Sequence, residues 1–278
     1  QASIQLSKRL KLQGAWGEYY QFTNRVIRED ILQGSRDFWL LADGETIPVG
    51  KATHYIAGLS YETPKYLFSA EAYYKPLSGL TEYTQRLSGG RGGLNIEELF
   101  YNGDGIAQGL EFLAQKKVGQ YTGWLSYTLS QVMYEFPDFS DTPFPALHDQ
   151  THEFKMVHSY QLNRWEFGGT WVYSTGNPYT SPVGGYQLEL LDGTSFAYVN
   201  VGAKNSFRLP AYHRLDLSAT FKFNMGSMPA SIGMSVFNVY NRQNVWYKEF
   251  EIVDGDLIET DVTFLGITPN LFLNIKLR

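Results

Sequence analysis

Apolar and polar residues alternate one by one along most of this chain, in blocks separated by turn-forming residues. In the clearest block, Leu215, Leu217, Ala219, Phe221 and Phe223 fall on one face, and Arg214, Asp216, Ser218, Thr220, Lys222 and Asn224 on the other. Successive side chains of a strand point to opposite faces, so a period of two marks strands with one apolar and one polar side. The same dyad sets Leu125, Tyr127 and Leu129 against Trp124, Ser126, Thr128 and Ser130, and Trp165, Phe167, Trp171 and Tyr173 against Glu166, Gly168 and Thr170. It recurs in Phe68, Ala70, Ala72 and Tyr74 against Ser69, Glu71 and Lys75, in Phe154, Met156 and Tyr160 against Glu153, Lys155 and Ser159, and in Leu271, Leu273 and Ile275 against Asn270 and Asn274. Helical periodicity is nearly absent. The pattern predicts about eleven antiparallel strands, most with the ~9–11 residues a tilted strand needs to cross a bilayer.

The connections alternate in length. Tight turns are expected at Ser7-Lys8-Arg9, Thr63-Pro64-Lys65, Gln115-Lys116-Lys117, Leu162-Asn163-Arg164 and Met225-Gly226-Ser227. Long loops are expected around 23–48, 86–104, 135–147, 176–206 and 242–258. Short turns at one end and long loops at the other are the arrangement of transmembrane β-barrels of the outer membrane, and a soluble sandwich does not usually alternate so regularly. Bacterial single-chain barrels have even strand numbers, so about eleven strands read as roughly half of a 22-stranded barrel. The C-terminus then ends a strand on the short-turn, periplasmic side.

Composition sharpens this picture. Aromatic residues make up 16% of the 278 residues and charged residues only 18%, against about 25% charged in soluble domains. Mean hydropathy is nevertheless negative, at -0.28. Rich in rings, poor in charge and polar on average is what a lipid-facing wall around a wet interior requires. No apolar run is long enough for a membrane-spanning helix, and no signal peptide opens the chain. There is no cysteine, which excludes disulfides and thiolate metal sites. The net charge of -5 is spread along the chain, with no basic footprint for nucleic acid. Tyr19, Tyr20, Tyr55, Tyr61, Tyr73, Tyr74, Trp171, Tyr173 and Tyr240 are expected near strand ends, where rings sit at the headgroup level.

Five segments then carry a family resemblance. They are Ala72-Tyr73-Tyr74-Lys75-Pro76-Leu77-Ser78-Gly79-Leu80, read as a strand-to-loop exit, and Gly109-Leu110-Glu111-Phe112 followed after a turn by Gly123-Trp124-Leu125-Ser126-Tyr127-Thr128-Leu129-Ser130. Ser174-Thr175-Gly176-Asn177-Pro178-Tyr179 is read as a loop start, Leu209-Pro210-Ala211-Tyr212-His213-Arg214-Leu215-Asp216 as the start of the third-last strand, and Ser235-Val236-Phe237-Asn238-Val239-Tyr240-Asn241 as the penultimate strand. In order and spacing the set resembles the C-terminal half of the barrel of TonB-dependent outer-membrane receptors of the Bacteroidota type, over essentially the whole of residues 1–278.

The resemblance implies energy-coupled uptake of a scarce, bulky nutrient: a siderophore, cobalamin, haem, a glycan or a peptide. It implies that the solute meets the extracellular loops, that lipid and lipopolysaccharide surround the wall, and that a surface lipoprotein partners the loops. It also implies coupling to the TonB-ExbB-ExbD complex through a plug domain and TonB box, neither of which this chain carries. The family's terminal aromatic residue is not the last one here, which is Arg278. A passive porin-like barrel, or a scaffold subunit of an outer-membrane complex, shares the same strand pattern.

The chemistry-bearing residues yield no catalytic, cofactor or metal site. Ser88-Gly89-Gly90-Arg91-Gly92-Gly93 lacks the Lys-Ser/Thr of a phosphate loop. His152 and His158 share a strand face but lie about 20 Å apart, His148 stands near them in sequence, and His54 and His213 are isolated. Asp138, Asp141 and Asp149, like Glu97 and Glu98, read as solvated loop charges. Arg214, Asp216, Glu111, Glu71 and Lys222 read as charges wetting the inner wall and meeting the plug. The aromatics of the loops that carry Tyr179, Tyr186, Phe196 and Tyr198, and Trp246 and Tyr247, read equally as solute contacts or as rings that stabilise the loops against each other; the sequence singles out no binding residue, and no enzyme activity is expected.

Overall fold

The computed structural model describes residues 1–28, 36–83, 100–138, 140–253 and 256–277. Ser88–Gly93, Glu97, Glu98, Phe139 and Arg278, and the side chains of Phe196 and Tyr198, lie outside the description. In chain order the strands are β1 (Ala2–Gln5), β2 (Leu10–Gln21), β3 (Thr23–Arg28), β4 (Arg36–Leu41), β5 (Gly50–Glu62), β6 (Tyr66–Tyr83) and β7 (Phe100–Lys116). There follow β8 (Tyr121–Glu135), β9 (Phe144–Pro145), β10 (His152–Leu162), β11 (Trp165–Ser174), β12 (Pro178–Tyr179), β13 (Pro182–Glu189) and β14 (Ser195–Val201). The last are β15 (Phe207–Arg208), β16 (Tyr212–Met225), β17 (Met228–Phe237), β18 (Val245–Val253), β19 (Asp256–Thr263) and β20 (Thr268–Ile275). No helix occurs among the described residues.

One antiparallel sheet runs β1-β2-β5-β6-β7-β8-β10-β11-β16-β17-β20, with β9 paired to β8 beside that path. The path is the predicted meander of eleven wall strands. Its register explains the alternation. Leu10, Tyr61, Phe68, Ala114, Leu125, Met156, Trp171 and Leu215 stand side by side on eight consecutive strands. On the opposite face Gln13, Gly58, Glu71, Glu111, Thr128, Glu153, Ser174 and Tyr212 form a matching row. Opposed residues share a face, so each face is uniform across strands far apart in sequence. The apolar face is exposed: Leu217 at 45%, Ile232 at 51% and Leu271 at 75%.

A charge therefore costs more on one face than on the other. Leu217→Arg places a guanidinium on the apolar face and is expected to destabilise the wall in lipid by about 2–4 kcal/mol. Ser218→Arg, one residue along, faces the polar side and is expected to cost far less. Urea titration of the full-length protein refolded in lipid vesicles reads the difference; equal losses would refute the assignment of faces.

The tight turns fall at one end of the sheet. Asn163 and Gly226 take left-handed φ values of 53° and 63° in two of them. The turn after β7 lies at 117–120, two residues beyond the expected position, because Gly119 supplies the positive φ of 110° and Lys116 still pairs with Tyr66 and Gly123. At the other end, β6 does not leave the sheet within Ala72–Leu80 as read from the sequence. Its register with β7 slips between Leu77 and Leu80 and the strand continues to Tyr83. Gly79 (φ 68°) makes this bulge, and a side chain there would meet the Val49 carbonyl at 2.6 Å.

The long connections hold more structure than loops. β3 pairs with β4, β12 with β15, β13 with β14 and β18 with β19. The β3–β4 hairpin buries Val26 against Tyr83, with Phe38, Leu40 and Phe100 around them. Its other face carries exposed Trp39 and Leu41.

Candidate functional site

Three features at the long-loop end are built to hold a defined shape. The first joins two connections. After β8, residues 140–151 fold back so that β9 pairs with Met133 and Tyr134, burying Phe136, Phe144 and Ala146. This turns Asp149 inward to 1% exposure, so it is not the solvated loop charge expected from the sequence. Its Oδ1 accepts from the Val132 amide at 2.6 Å. Its Oδ2 accepts from Arg208 Nη2 in an ion pair. Arg208 Nη1 donates to the carbonyls of Asp149 and Gly176, both at 3.1 Å.

The same connection, 175–211, is pinned twice more. Asn205 Nδ2 donates to the Pro145 carbonyl at 2.8 Å, and Lys204 Nζ donates to Glu82 Oε2 at 2.7 Å, tying it to the tip of β6. A cleft of about 750 Å3 opens beside the latch, lined by Tyr73, Ser130, Gln131, Asp149, Thr151 and Arg208 among others.

The second feature closes β17. Asn238 is fully buried with φ of 54°. Its amide donates to Asp216 Oδ1 at 2.9 Å, its Nδ2 to the carbonyls of Arg242 and Leu265, and its Oδ1 accepts from the Arg242 amide. Arg242 reaches the Ala211 carbonyl, and Asn244 bonds both backbone groups of His213. The segment read as part of the penultimate strand is thus a strand end and a polar cap. Asn tolerates the left-handed region because its short amide bonds locally.

The third is the β18–β19 hairpin. Lys248 lies between Glu259 and Asp261 on the neighbouring strand. Burial opposes its charge, but the hydrogen bonds the ammonium donates to Asp261 and Glu259 outweigh it and hold the ammonium above its ordinary pKa. Trp246 is exposed and touches Tyr247 and Phe264, and Tyr247 donates to Glu249. On the other connections, burial pushes the Tyr179 phenol up, and the amides of Ile47 and Glu45 hold the Asp43 carboxyl down.

The remaining candidates are dispersed. Tyr179 packs on Phe207 within β12–β15 and is structural; Tyr186 is exposed. His152, His158 and His213 all take the apolar face, and the Nδ1 of each meets a tyrosine hydroxyl, of Tyr127, Tyr121 and Tyr240 respectively, at 2.7–2.8 Å. Tyr19 and Tyr73 fall by register on the polar face rather than in an outer girdle. No grouping of three or more His, Asp or Glu suited to a metal occurs among the described residues. On the polar face Arg214 pairs with Asp216 and Lys222 with Glu166. Glu71 and Glu111 stand directly opposite each other, and neither has an ion-pair partner among the described residues. The sequence reading missed Arg208, Lys204, Asn205 and Asn244, since nothing in their local pattern announces contacts with other loops.

No curated protein sequence matches the chain. By fold it is similar to the ferric yersiniabactin uptake receptor FyuA from Yersinia pestis, with a TM-score of 0.59 and 13% identity over 98% of this chain and 35% of that one. It is also similar to the ferric-catecholate import receptor Fiu from E. coli K12 (TM-score 0.57, 13% identity, 87% of this chain and 30% of that one). The same holds for the ferripyoverdine receptor of the outer membrane of Pseudomonas aeruginosa (TM-score 0.57, 10% identity, 87% and 29%). The chain spans about a third of the length of these structures. A family model described as TonB dependent receptor-like, beta-barrel matches residues 50–241, more than half of the chain. With its antiparallel wall of one apolar and one polar face, the chain belongs to the TonB-dependent receptor β-barrel family.

Proposed function

We propose that residues 1–278 form the C-terminal part of the barrel wall of a bacterial outer-membrane receptor that imports a scarce, bulky solute with energy delivered through TonB. The observation that carries this reading is the wall itself: a meander whose apolar face is continuous across strands, whose polar face carries the charges, and whose long connections share one end. In this reading the tight turns and the C-terminal strand end face the periplasm, and the long connections face outward. The wall is mechanical, with its backbone groups paired between strands as the bilayer demands. Its work is to hold a shaped vestibule and to seat a plug domain from outside this chain. Opposed Glu71 and Glu111 support a plug, because two unpaired carboxylates across a strand pair repel until a cation arrives. The exposed rings of Tyr186, Trp246 and Tyr247 suit solute capture. The similar structures are named for ferric yersiniabactin, ferric-catecholate and ferripyoverdine, which makes a ferric siderophore the first solute to test.

Two measurements test it. An epitope inserted at Gly193, in the β13–β14 turn, is expected to be reached by antibody on intact cells. One at Gly226, in the β16–β17 turn, is expected to be reached only after permeabilisation; the reverse would overturn the orientation. Loss of the full-length gene and loss of TonB are each expected to abolish growth on the same limiting nutrient, with no further loss in the double mutant. Full growth without TonB would overturn the energy coupling.

A further inference from the structure

The latch does not use all of Arg208. A guanidinium carries five N–H donors in a fixed fork. Nη1 donates to the carbonyls of Asp149 and Gly176, and Nη2 donates once, to Asp149 Oδ2. Nε–H and the second Nη2 proton have no partner among the described residues. Because Nη1 and Nη2 both reach Asp149, the Nη2 proton left over is the one beside Nε–H. Two such parallel N–H groups match both oxygens of a carboxylate. The Arg208 side chain is 37% exposed, and its open edge is reached from the cleft that it lines.

The wall beside this edge is shaped to leave room. Tyr73, Gly109 and Ser130 stand in one row on the polar face of β6, β7 and β8. Gly109 has no side chain and the Tyr73 ring lies across it, so that a Cβ there would meet the Tyr73 hydroxyl at 2.6 Å. The floor of the cleft is thereby flat rather than filled. Lys75, two residues along β6, holds its Nζ 4.4 Å from the centre of the same ring and has no ion-pair partner among the described residues. Asp149 is balanced by Arg208, so Lys75 is the uncompensated charge at this level. Glu71 and Glu111 stand opposite each other one row nearer the tight turns and oppose an anion placed deeper. At about 750 Å3 the cleft falls within the ~300–1,000 Å3 of small-ligand pockets.

We propose that this cleft is a subsite for a carboxylate of the imported solute, with the open edge of Arg208 binding both carboxylate oxygens and Lys75 adding charge at the same level. The planar edge fits a planar acceptor with two oxygens, whereas a neutral amide sets one N–H against another. A small solute is the occupant, rather than a plug side chain, because the fork sits on a connection of the long-loop end in a cleft of small-ligand size. The inference rests on the reading of this chain as part of a solute importer. A protein that imports through TonB yet treats carboxylates and amides alike refutes this inference alone.

The test is saturation-transfer NMR on the full-length protein in detergent, with benzoate and its neutral isostere benzamide as probes. Benzoate is expected to bind about tenfold tighter, equal to about 1.4 kcal/mol. Arg208→Lys keeps the charge and loses the fork, and is expected to remove that preference, whereas a role confined to the latch would weaken both probes alike or neither. Thr151→Phe fills the cleft from beside β10 without removing a bond of Asp149 or Arg208, and is expected to abolish benzoate binding. It keeps the proposal decidable if Arg208→Lys loosens the connection. No benzoate bound to the unmodified protein, the outcome if a plug carboxylate holds the fork, would overturn it. So would equal binding of the two probes, equal losses or an unchanged preference in Arg208→Lys, or full benzoate binding in Thr151→Phe.

Discussion

Asp149→Ala is expected to release the 175–211 connection from the wall at a cost of about 2–4 kcal/mol, from the stranded Val132 donor and the lost charge-assisted bond to Arg208, whose side chain is 37% exposed and keeps water as a partner. The carboxylate is almost wholly buried and both its oxygens are used, one by the Val132 amide and one by Arg208. Without it the Arg208 charge loses its counterion and the Val132 N–H loses its acceptor. An unsatisfied buried donor alone costs about 1–3 kcal/mol. Asp149→Asn keeps an acceptor for Val132 and is expected to fall between the two. The readout is limited proteolysis of the full-length protein in vesicles, with cleavage inside 175–211 rising steeply in Asp149→Ala. Arg208→Ala supplies the other arm of a double-mutant cycle. If the two substitutions act through one latch, the double variant is no more sensitive than the worse single one; strictly additive losses would show that they are independent.

The second large effect is expected at Asn238. It combines a left-handed backbone with four hydrogen bonds in a fully buried position. Alanine meets the steric cost of that backbone, about 1–2 kcal/mol, and leaves the carbonyls of Arg242 and Leu265 and the Arg242 amide without the Asn238 side chain. A total loss of about 3 kcal/mol or more is expected. Glycine removes the backbone strain but not the lost bonds, so Asn238→Gly is expected to be milder than Asn238→Ala. Asn238→Asp keeps one acceptor and buries a second carboxylate close to Asp216, and is expected to be the worst. Urea midpoints of vesicle-refolded protein give the order. Equal stability of the Gly, Ala and Asp variants would remove the capping role assigned to this residue.

Both predictions concern residues that the amino-acid pattern treats as ordinary. Asp149 stands among Asp138 and Asp141 in a polar stretch, and only the fold-back of β9 makes it different from them. Asn238 lies within a segment read as strand, and its cap depends on Asp216, twenty-two residues earlier on the neighbouring wall strand. The β7–β8 turn fell two residues late because Gly119, not the lysine pair, bends the chain. The hairpins within the long connections were read as loops because they pair locally at the end of the sheet, with alternation weaker than that of the wall. The wall itself was legible throughout. Leu215 to Phe223 on one face and Arg214 to Lys222 on the other needed no coordinates, since a strand between lipid and water has only one arrangement that keeps charge out of the hydrocarbon.

The amino-acid order alone determined the strand period, the two-faced wall, the alternation of short turns with long connections and the family to which the motifs point. These are local or strictly periodic properties, imposed on nearly every residue by the solvent on either side. The tertiary structure decided which loop residues meet: Lys204 with Glu82, Arg208 with Asp149, Asn205 with Pro145. It also decided where the cleft beside Arg208 opens, because that depends on Tyr73, Gly109 and Ser130 from separate strands arriving in one register. Contacts across such distances in sequence are set by packing, which no repeating local pattern encodes.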